Sequence, residues 1–229
     1  MKIVILAAGK GSRLGKDLPK ALVELYDGKT ILDYQIERLA KYFSLKDIFI
    51  VVGYKKELVM ERYRSLNFIY NEEYDQTNTG KSLLKGLQKI DNEDVLWMNG
   101  DVVFADAILP KMIKAGKTCM LVDEKQCGQE EVKFRANKKG LIIEVSKQVS
   151  ISEGEALGIN LVTKADLPIL KKHLLLVEKN DYFEKAIENM IKEDRVRVFP
   201  IFIEDNFCHE IDYPDDLEFV KKNIKAILK

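Results

Sequence analysis

The chain has 229 residues, 46% of them hydrophobic, enough to bury a full core within one domain. Lys plus Arg and Asp plus Glu both number 37, so no overall basic field points to nucleic acid as a partner. Cys119, Cys127 and Cys208 are odd in number and never spaced as C-x-x-C, which speaks against a disulfide framework or a zinc site.

No apolar run approaches the roughly 18 residues that a membrane span requires. Met1-Lys2 leads directly into an apolar strand and not into a signal peptide, so a soluble cytoplasmic protein is expected. The strand starts at Ile3 and breaks at Ala7-Ala8-Gly9 into a loop of small residues. Thr30 reads as the N-cap of a helix from about Ile31 to Phe43, followed by a buried strand at Asp47–Gly53. A helix over Lys55–Ser65 and a short strand at Asn67–Asn71 complete a β-α-β-α-β order, the pattern of a parallel sheet.

A helix is expected from about Lys81 to Ile90, then a buried strand at Val95–Gly100 that ends in Asp101. Beyond it come a helix near Ala105–Ala115 and a strand at Thr118–Val122. Val132–Ala136, a turn at Lys138-Lys139-Gly140 and Leu141–Ser146 read as a hairpin. A strand at Gly158–Val162, helices near Ala165–Leu174 and Asp181–Lys192, and a strand at Val196–Ile201 follow. The last helix starts at Pro214, with Asp215 and Asp216 in its first turn, and closes on the basic segment Val220–Lys229. No linker or repeat interrupts the chain. The expectation is one domain over 1–229, with a nucleotide-binding half over about 1–122 and an acceptor half over about 123–229.

The chemistry concentrates in the opening loop. Gly9, Gly11 and Gly15 stand among Lys10, Arg13 and Lys16, and Pro19-Lys20 follows. Glycines let successive N–H groups turn toward one anion, and the basic side chains add charge where a polyphosphate would sit. Two better-known glycine motifs do not fit. G-x-G-x-x-G fails because position 14 is Leu, and the Walker A pattern around Asp75–Ser82 lacks its leading glycine.

The string L-A-A-G-K-G-S-R-L with its downstream P-K resembles the signature of the sugar-phosphate nucleotidyltransferases. That resemblance implies an α/β, Rossmann-like nucleotidyltransferase fold: a mostly parallel central sheet flanked by helices, with a small β-hairpin acceptor region. It implies nucleotide contacts from Leu6, Ala7, Ala8, Gly9, Gly11, Ser12, Arg13 and Lys20. Lys20 matches the lysine that neutralises the α- and β-phosphates, and Arg13 the arginine on the outer phosphates. Asp101 after N-G matches the family's metal aspartate, and Asp212 in H-E-I-D-Y its late acidic motif. Together they would hold Mg²⁺, which takes one or two carboxylates and leaves the rest to phosphate and water. Lys20, Arg13 and Asp101 are the expected catalytic residues.

Asn78, Gly80 and Ser82 fall where relatives hold their nucleobase loop, and they resemble the cytidylyltransferase branch more than the uridylyl- and thymidylyltransferases. Lys133, Glu155 and Gly158 are the expected acceptor-binding residues, with Lys147 a weaker candidate. The acceptor half offers few aromatics for a choline cage, which favours a hydroxyl-rich acceptor. The expectation is transfer of CMP from CTP to a phosphorylated alcohol, with inositol 1-phosphate the best acceptor guess. Phosphocholine or sugar 1-phosphate transfer and a non-catalytic sensor are the alternatives. In some relatives such a domain is fused to a membrane phosphotransferase that consumes the CDP-alcohol, so that enzyme is a further expected partner.

Overall fold

The apolar run that opens the chain becomes strand β1 (Lys2–Ala7), with Ile3, Val4 and Ile5 fully buried. In the computed structural model, which describes residues 1–227, β1 lies inside the sheet. β4 (Ile48–Val52) and β6 (Val95–Asn99) flank it in parallel, and β5 (Asn67–Tyr70) extends the parallel run beyond β4. Strands covered on both faces need apolar residues at successive positions, which is why these segments read as continuous runs. Val4 and Leu6 pack on one face with Trp97 and Phe183, and Ile3 and Ile5 on the other with Leu32 and Met98. Each fully buried Leu or Ile contributes on the order of 2 kcal/mol.

Parallel neighbours cannot be joined by a tight turn. Helices α1 (Ile31–Leu39), α2 (Lys56–Arg62) and α3 (Thr79–Leu87) therefore make the returns. Thr30 caps α1 through a reciprocal box with Asp33, an arrangement worth about 1 kcal/mol. α1 ends at Leu39, short of the expected Phe43, where the Leu39 carbonyl turns to accept from the N–H groups of Tyr42 and Phe43.

The second half adds antiparallel strands to this frame. β11 (Gly154–Val162) pairs with β6, with β8 (Cys119–Asp123) and, at its first residues, with β9 (Lys133–Ala136). β9 and β10 (Ile142–Ser146) form the expected hairpin, and β12 (Phe199–Phe202) lies parallel to β8. The remaining helices are α4 (Ile108–Ala115), α5 (Leu167–Leu176), α6 (Phe183–Glu193) and α7 (Pro214–Ile227). β11 starts at Gly154 and not at the expected Gly158. The end of the expected basic segment, Leu228-Lys229, lies outside the described residues.

Two short ribbons were not expected. β2 (Glu24–Tyr26) pairs with β3 (Lys29–Thr30), and β7 (Val102–Phe104) with β13 (Cys208–Glu210). Two or three residues are too few to show a strand period. Among the described residues no helix is long and apolar enough to cross a membrane.

Candidate active site

β1 and β6 end side by side, Leu6 opposite Asn99, and the chain leaves both ends into loops on the same edge of the sheet. After β1 the loop turns through Gly11 in a left-handed conformation, φ +62°, which glycine adopts without strain. A Cβ at Gly11 would lie 2.8 Å from the Lys20 Cβ, so the absence of a side chain lets the loop close over Lys20.

After β6 comes Asp101, and the β7–β13 ribbon brings the late acidic segment to it. Glu210 pairs with Val102, and the Ile211 N–H donates to the Asp101 carbonyl at 3.1 Å. Asp212 is thereby set beside Asp101. The Asp216 carboxylate fixes that position by accepting from the Asp212 and Tyr213 N–H groups at 2.9 and 2.7 Å. Lys20 Nζ lies between the two aspartates, 2.6 Å from Asp101 Oδ2 and 2.7 Å from Asp212 Oδ1. Arg13 approaches Asp212 at 3.8 Å and stands over the Tyr213 ring.

Burial works against the Lys20 ammonium, but the Asp101 and Asp212 carboxylates outweigh it and hold its pKa above the ordinary lysine value. Burial likewise opposes the Asp212 charge, and Lys20 and then Arg13 hold it below the usual carboxylate range. The Oδ1 of Asp101 is buried with no hydrogen-bond partner. Two carboxylates with one unpaired buried oxygen are hard donors suited to Mg²⁺, so these residues fit such an ion. No larger group of His, Cys, Asp or Glu arranged for a metal occurs among the described residues.

A cavity of about 680 Å³ opens on these residues. Leu6, Ala7, Gly9, Gly11, Ser12 and Arg13 line it together with Lys20, Asp101 and Asp212, and Asn78 and Glu155 are also on the wall. Other expected site residues lie off it. Ala8 is buried behind the loop, its carbonyl accepting from the Tyr54 N–H. Gly80 packs against the Asp181 carbonyl, where a Cβ would come to 2.8 Å, and the Ser82 hydroxyl is taken by Asn71 at 3.0 Å. Lys81 donates to the carbonyls of Leu174 and Leu175 at the end of α5, so the G-K-S run serves packing and capping. Asn78 caps α3 through the Thr79 N–H while still facing the cavity. Lys133 donates to the Lys147 carbonyl at 3.0 Å and does not line the cavity.

Gly158 sits behind the wall, where a Cβ would meet Glu210 Oε1 at 2.4 Å. The glycine makes room for Glu210, a half-buried residue on the cavity whose carboxyl accepts from the Asn99 amide at 3.0 Å. Burial, and then the neighbouring Asp101 charge, push Glu210 well above the usual carboxylate range. Asn99 and Glu210 were legible signals left unassigned, since they stand in the same N-G-D and E-I-D strings as the aspartates. Another part of the cavity wall gathers residues distant in sequence, the expected Glu155 and Lys147 among them. Lys125 pairs with Glu155 at 2.6 Å, Lys147 with Glu130 at 3.2 Å, and Tyr182 and Glu184 complete the wall.

Comparisons with known proteins agree with this architecture. The model of the MobA-like NTP transferase domain matches residues 3–135. A UTP–glucose-1-phosphate uridylyltransferase, AglF of Haloferax volcanii, is 39% identical over 45% of this chain and 44% of its own length. The bifunctional protein GlmU of Sulfurimonas denitrificans is 27% identical over 95% of this chain and 52% of its own. The chain thus spans about half the length, or less, of the curated relatives it matches.

Among solved structures, the CTP:phosphocholine cytidylyltransferase LicC of Streptococcus pneumoniae superposes with a TM-score of 0.76 at 20% identity, covering 97% of this chain and 98% of that one. The inositol-1-phosphate CTP transferase of T. maritima gives 0.78 at 19% identity, covering 100% and 96%. These likenesses concern the fold. With more than half of its length matched by the family model, the chain belongs to the MobA-like NTP transferase family.

Proposed function

We propose that this chain transfers CMP from CTP to a phosphorylated polyol, inositol 1-phosphate being the best acceptor, and releases pyrophosphate. The observation that carries the reading is Lys20, held between Asp101 and Asp212 beneath a glycine loop at the strand ends of a nucleotide-binding sheet. An oxygen of the acceptor phosphate attacks the α-phosphorus of CTP. The bond from that phosphorus to the bridging β-phosphate oxygen breaks, and pyrophosphate leaves with the electron pair. A phosphate dianion is already a nucleophile, so the site needs no general base, and positioning with charge neutralisation supplies the acceleration.

In this reading the N–H groups of the Gly9–Ser12 loop cradle the triphosphate. Arg13 neutralises its outer phosphates, and Lys20 moves from the aspartates onto the α- and β-phosphates. Asp101 and Asp212 would hold Mg²⁺, which supplies charge compensation between acceptor and α-phosphate when bound. The part of the cavity wall with Lys125, Lys147, Tyr182 and Glu184 takes the acceptor. It offers hydrogen-bonding groups and one aromatic ring, a poor cage for a quaternary ammonium. The product, a CDP-alcohol, is the substrate class of a membrane phosphotransferase. A second reading is UTP with a sugar 1-phosphate, favoured by the likeness to the uridylyltransferase of Haloferax volcanii.

Incubation of the chain with Mg²⁺, inositol 1-phosphate and CTP labelled at the α-phosphorus tests the first reading. It predicts label in a CDP-polyol with equimolar pyrophosphate. Label recovered only in CTP or CMP would refute it.

A further inference from the structure

The cavity wall holds an acidic side chain, outside the aspartates already described, that lacks a hydrogen-bond partner. Glu184, in the first turn of α6, is 6% exposed, and its Oε2 is buried with no hydrogen bond. A buried acceptor left unpaired costs free energy that a ligand's donor would recover. Two other carboxylates on the cavity wall are already engaged: Glu155 by Lys125 and Glu130 by Lys147. Glu184 also lies where the main cavity meets a second one of about 520 Å³, and Val132, Lys147 and Tyr182 line both. Its carboxyl therefore stands at the boundary of the two spaces.

What could reach it is narrowed by charge and shape. Lys147 Nζ stands 5.3 Å from the centroid of the Tyr182 ring and the Arg13 guanidinium 5.5 Å from that of Tyr213, so a cation already faces both tyrosines on this cavity. Neither ring is left open to cage a quaternary ammonium. A hydroxyl needs no ring, and it brings the donor that Glu184 lacks.

We propose that Glu184 is the specificity-determining residue of the acceptor end, its Oε2 accepting a hydrogen bond from a hydroxyl of the phosphorylated acceptor. The assignment rests on the reading of the acceptor as a phosphorylated polyol. It makes Glu184 a discriminator between polyol phosphates that differ by one hydroxyl, a role separate from the phosphate cradle.

The test is steady-state kinetics of the full chain with CTP, inositol 1-phosphate and its single-deoxy analogues. Glu184→Ala should raise the acceptor KM roughly tenfold, the worth of one hydrogen bond to a buried group, and leave the CTP KM within about twofold. Glu184→Gln keeps an acceptor oxygen and should stay within about threefold of the parent. One deoxy analogue should be roughly tenfold poorer than inositol 1-phosphate for the parent enzyme and equal to it for Glu184→Ala. That loss of discrimination is not produced by general loosening of the fold. Should Glu184→Ala fail to fold, the parent enzyme with the analogue panel still decides, since equal KM for every analogue overturns the assignment. If polyol phosphates are turned over but Glu184→Ala leaves the acceptor KM unchanged, the Glu184 assignment alone falls. If no polyol phosphate is turned over while CTP still binds, the polyol reading falls and takes the assignment with it.

Discussion

Replacing Glu184 with Gln should change how stability depends on pH, by an amount the structure fixes. Burial raises the Glu184 carboxyl from its ordinary value of 4.5 to about 7. The folded chain therefore binds a proton there that the unfolded chain releases between pH 4.5 and 7. A raised carboxyl pKa contributes stability that is fully present below the unfolded value and is lost as pH rises through the folded one. At about 1.4 kcal/mol per unit, the loss from pH 4 to pH 8 is on the order of 3 kcal/mol. Glutamine is neutral throughout and close in shape, so the variant lacks this loss, while every other titrating group is common to both proteins. Urea denaturation at several pH values would read the difference as a change in midpoint at constant slope. The parent-minus-variant stability should fall by about 3 kcal/mol across that window, most steeply between 5 and 7. Two parallel pH profiles would show that the Glu184 carboxyl is solvated in the folded chain, and the argument from its unpaired oxygen would collapse.

Other expectations follow from the same geometry. Asp101→Asn should lower turnover by about 100-fold or more with an unchanged far-ultraviolet circular dichroism spectrum; full activity would remove Asp101 from the mechanism. Lys20→Ala should reduce turnover comparably but lower unfolding free energy by no more than about 2 kcal/mol, because Asp212 is partly exposed and screened. Mg²⁺ should raise the melting temperature of Lys20→Ala more than that of the parent, since two facing carboxylates then lack their cation; equal shifts would count against metal binding there. Gly53→Ala would place a Cβ 2.5 Å from the Ala8 carbonyl oxygen and from Tyr74 Cβ. It should cost about 1–3 kcal/mol in urea denaturation, and a neutral effect would mean the loop behind β1 yields freely.

The first half of the fold was legible because its strands are buried on both faces and announce themselves as apolar runs. The glycine loop, Lys20 and Asp101 were legible for a related reason: strand ends and small-residue loops leave a local trace in sequence. The β7–β13 ribbon left none, yet it places Asp212 beside Asp101 and seats Glu210 on the cavity. Gly80 and Ser82 lie off the cavity, because a cap and a helix start use the same small residues as a ligand loop. Lys133 lies off the cavity, because the face a strand residue takes depends on a register that sequence alone does not supply. The wall proposed for the acceptor draws, beside the expected Lys147, on Lys125, Tyr182 and Glu184, which only the folded chain gathers.

The most direct test of the account is pyrophosphate release by the purified chain with Mg²⁺. Each of CTP, UTP, GTP and dTTP would be paired in turn with inositol 1-phosphate, glucose 1-phosphate and phosphocholine. The account predicts release with CTP and inositol 1-phosphate, and little with the other pairs. Release only with UTP and the sugar phosphate, or only with CTP and phosphocholine, would keep the chemistry and contradict the assigned substrates. No release from any pair, with nucleotide still bound, would contradict the claim that this site catalyses nucleotidyl transfer.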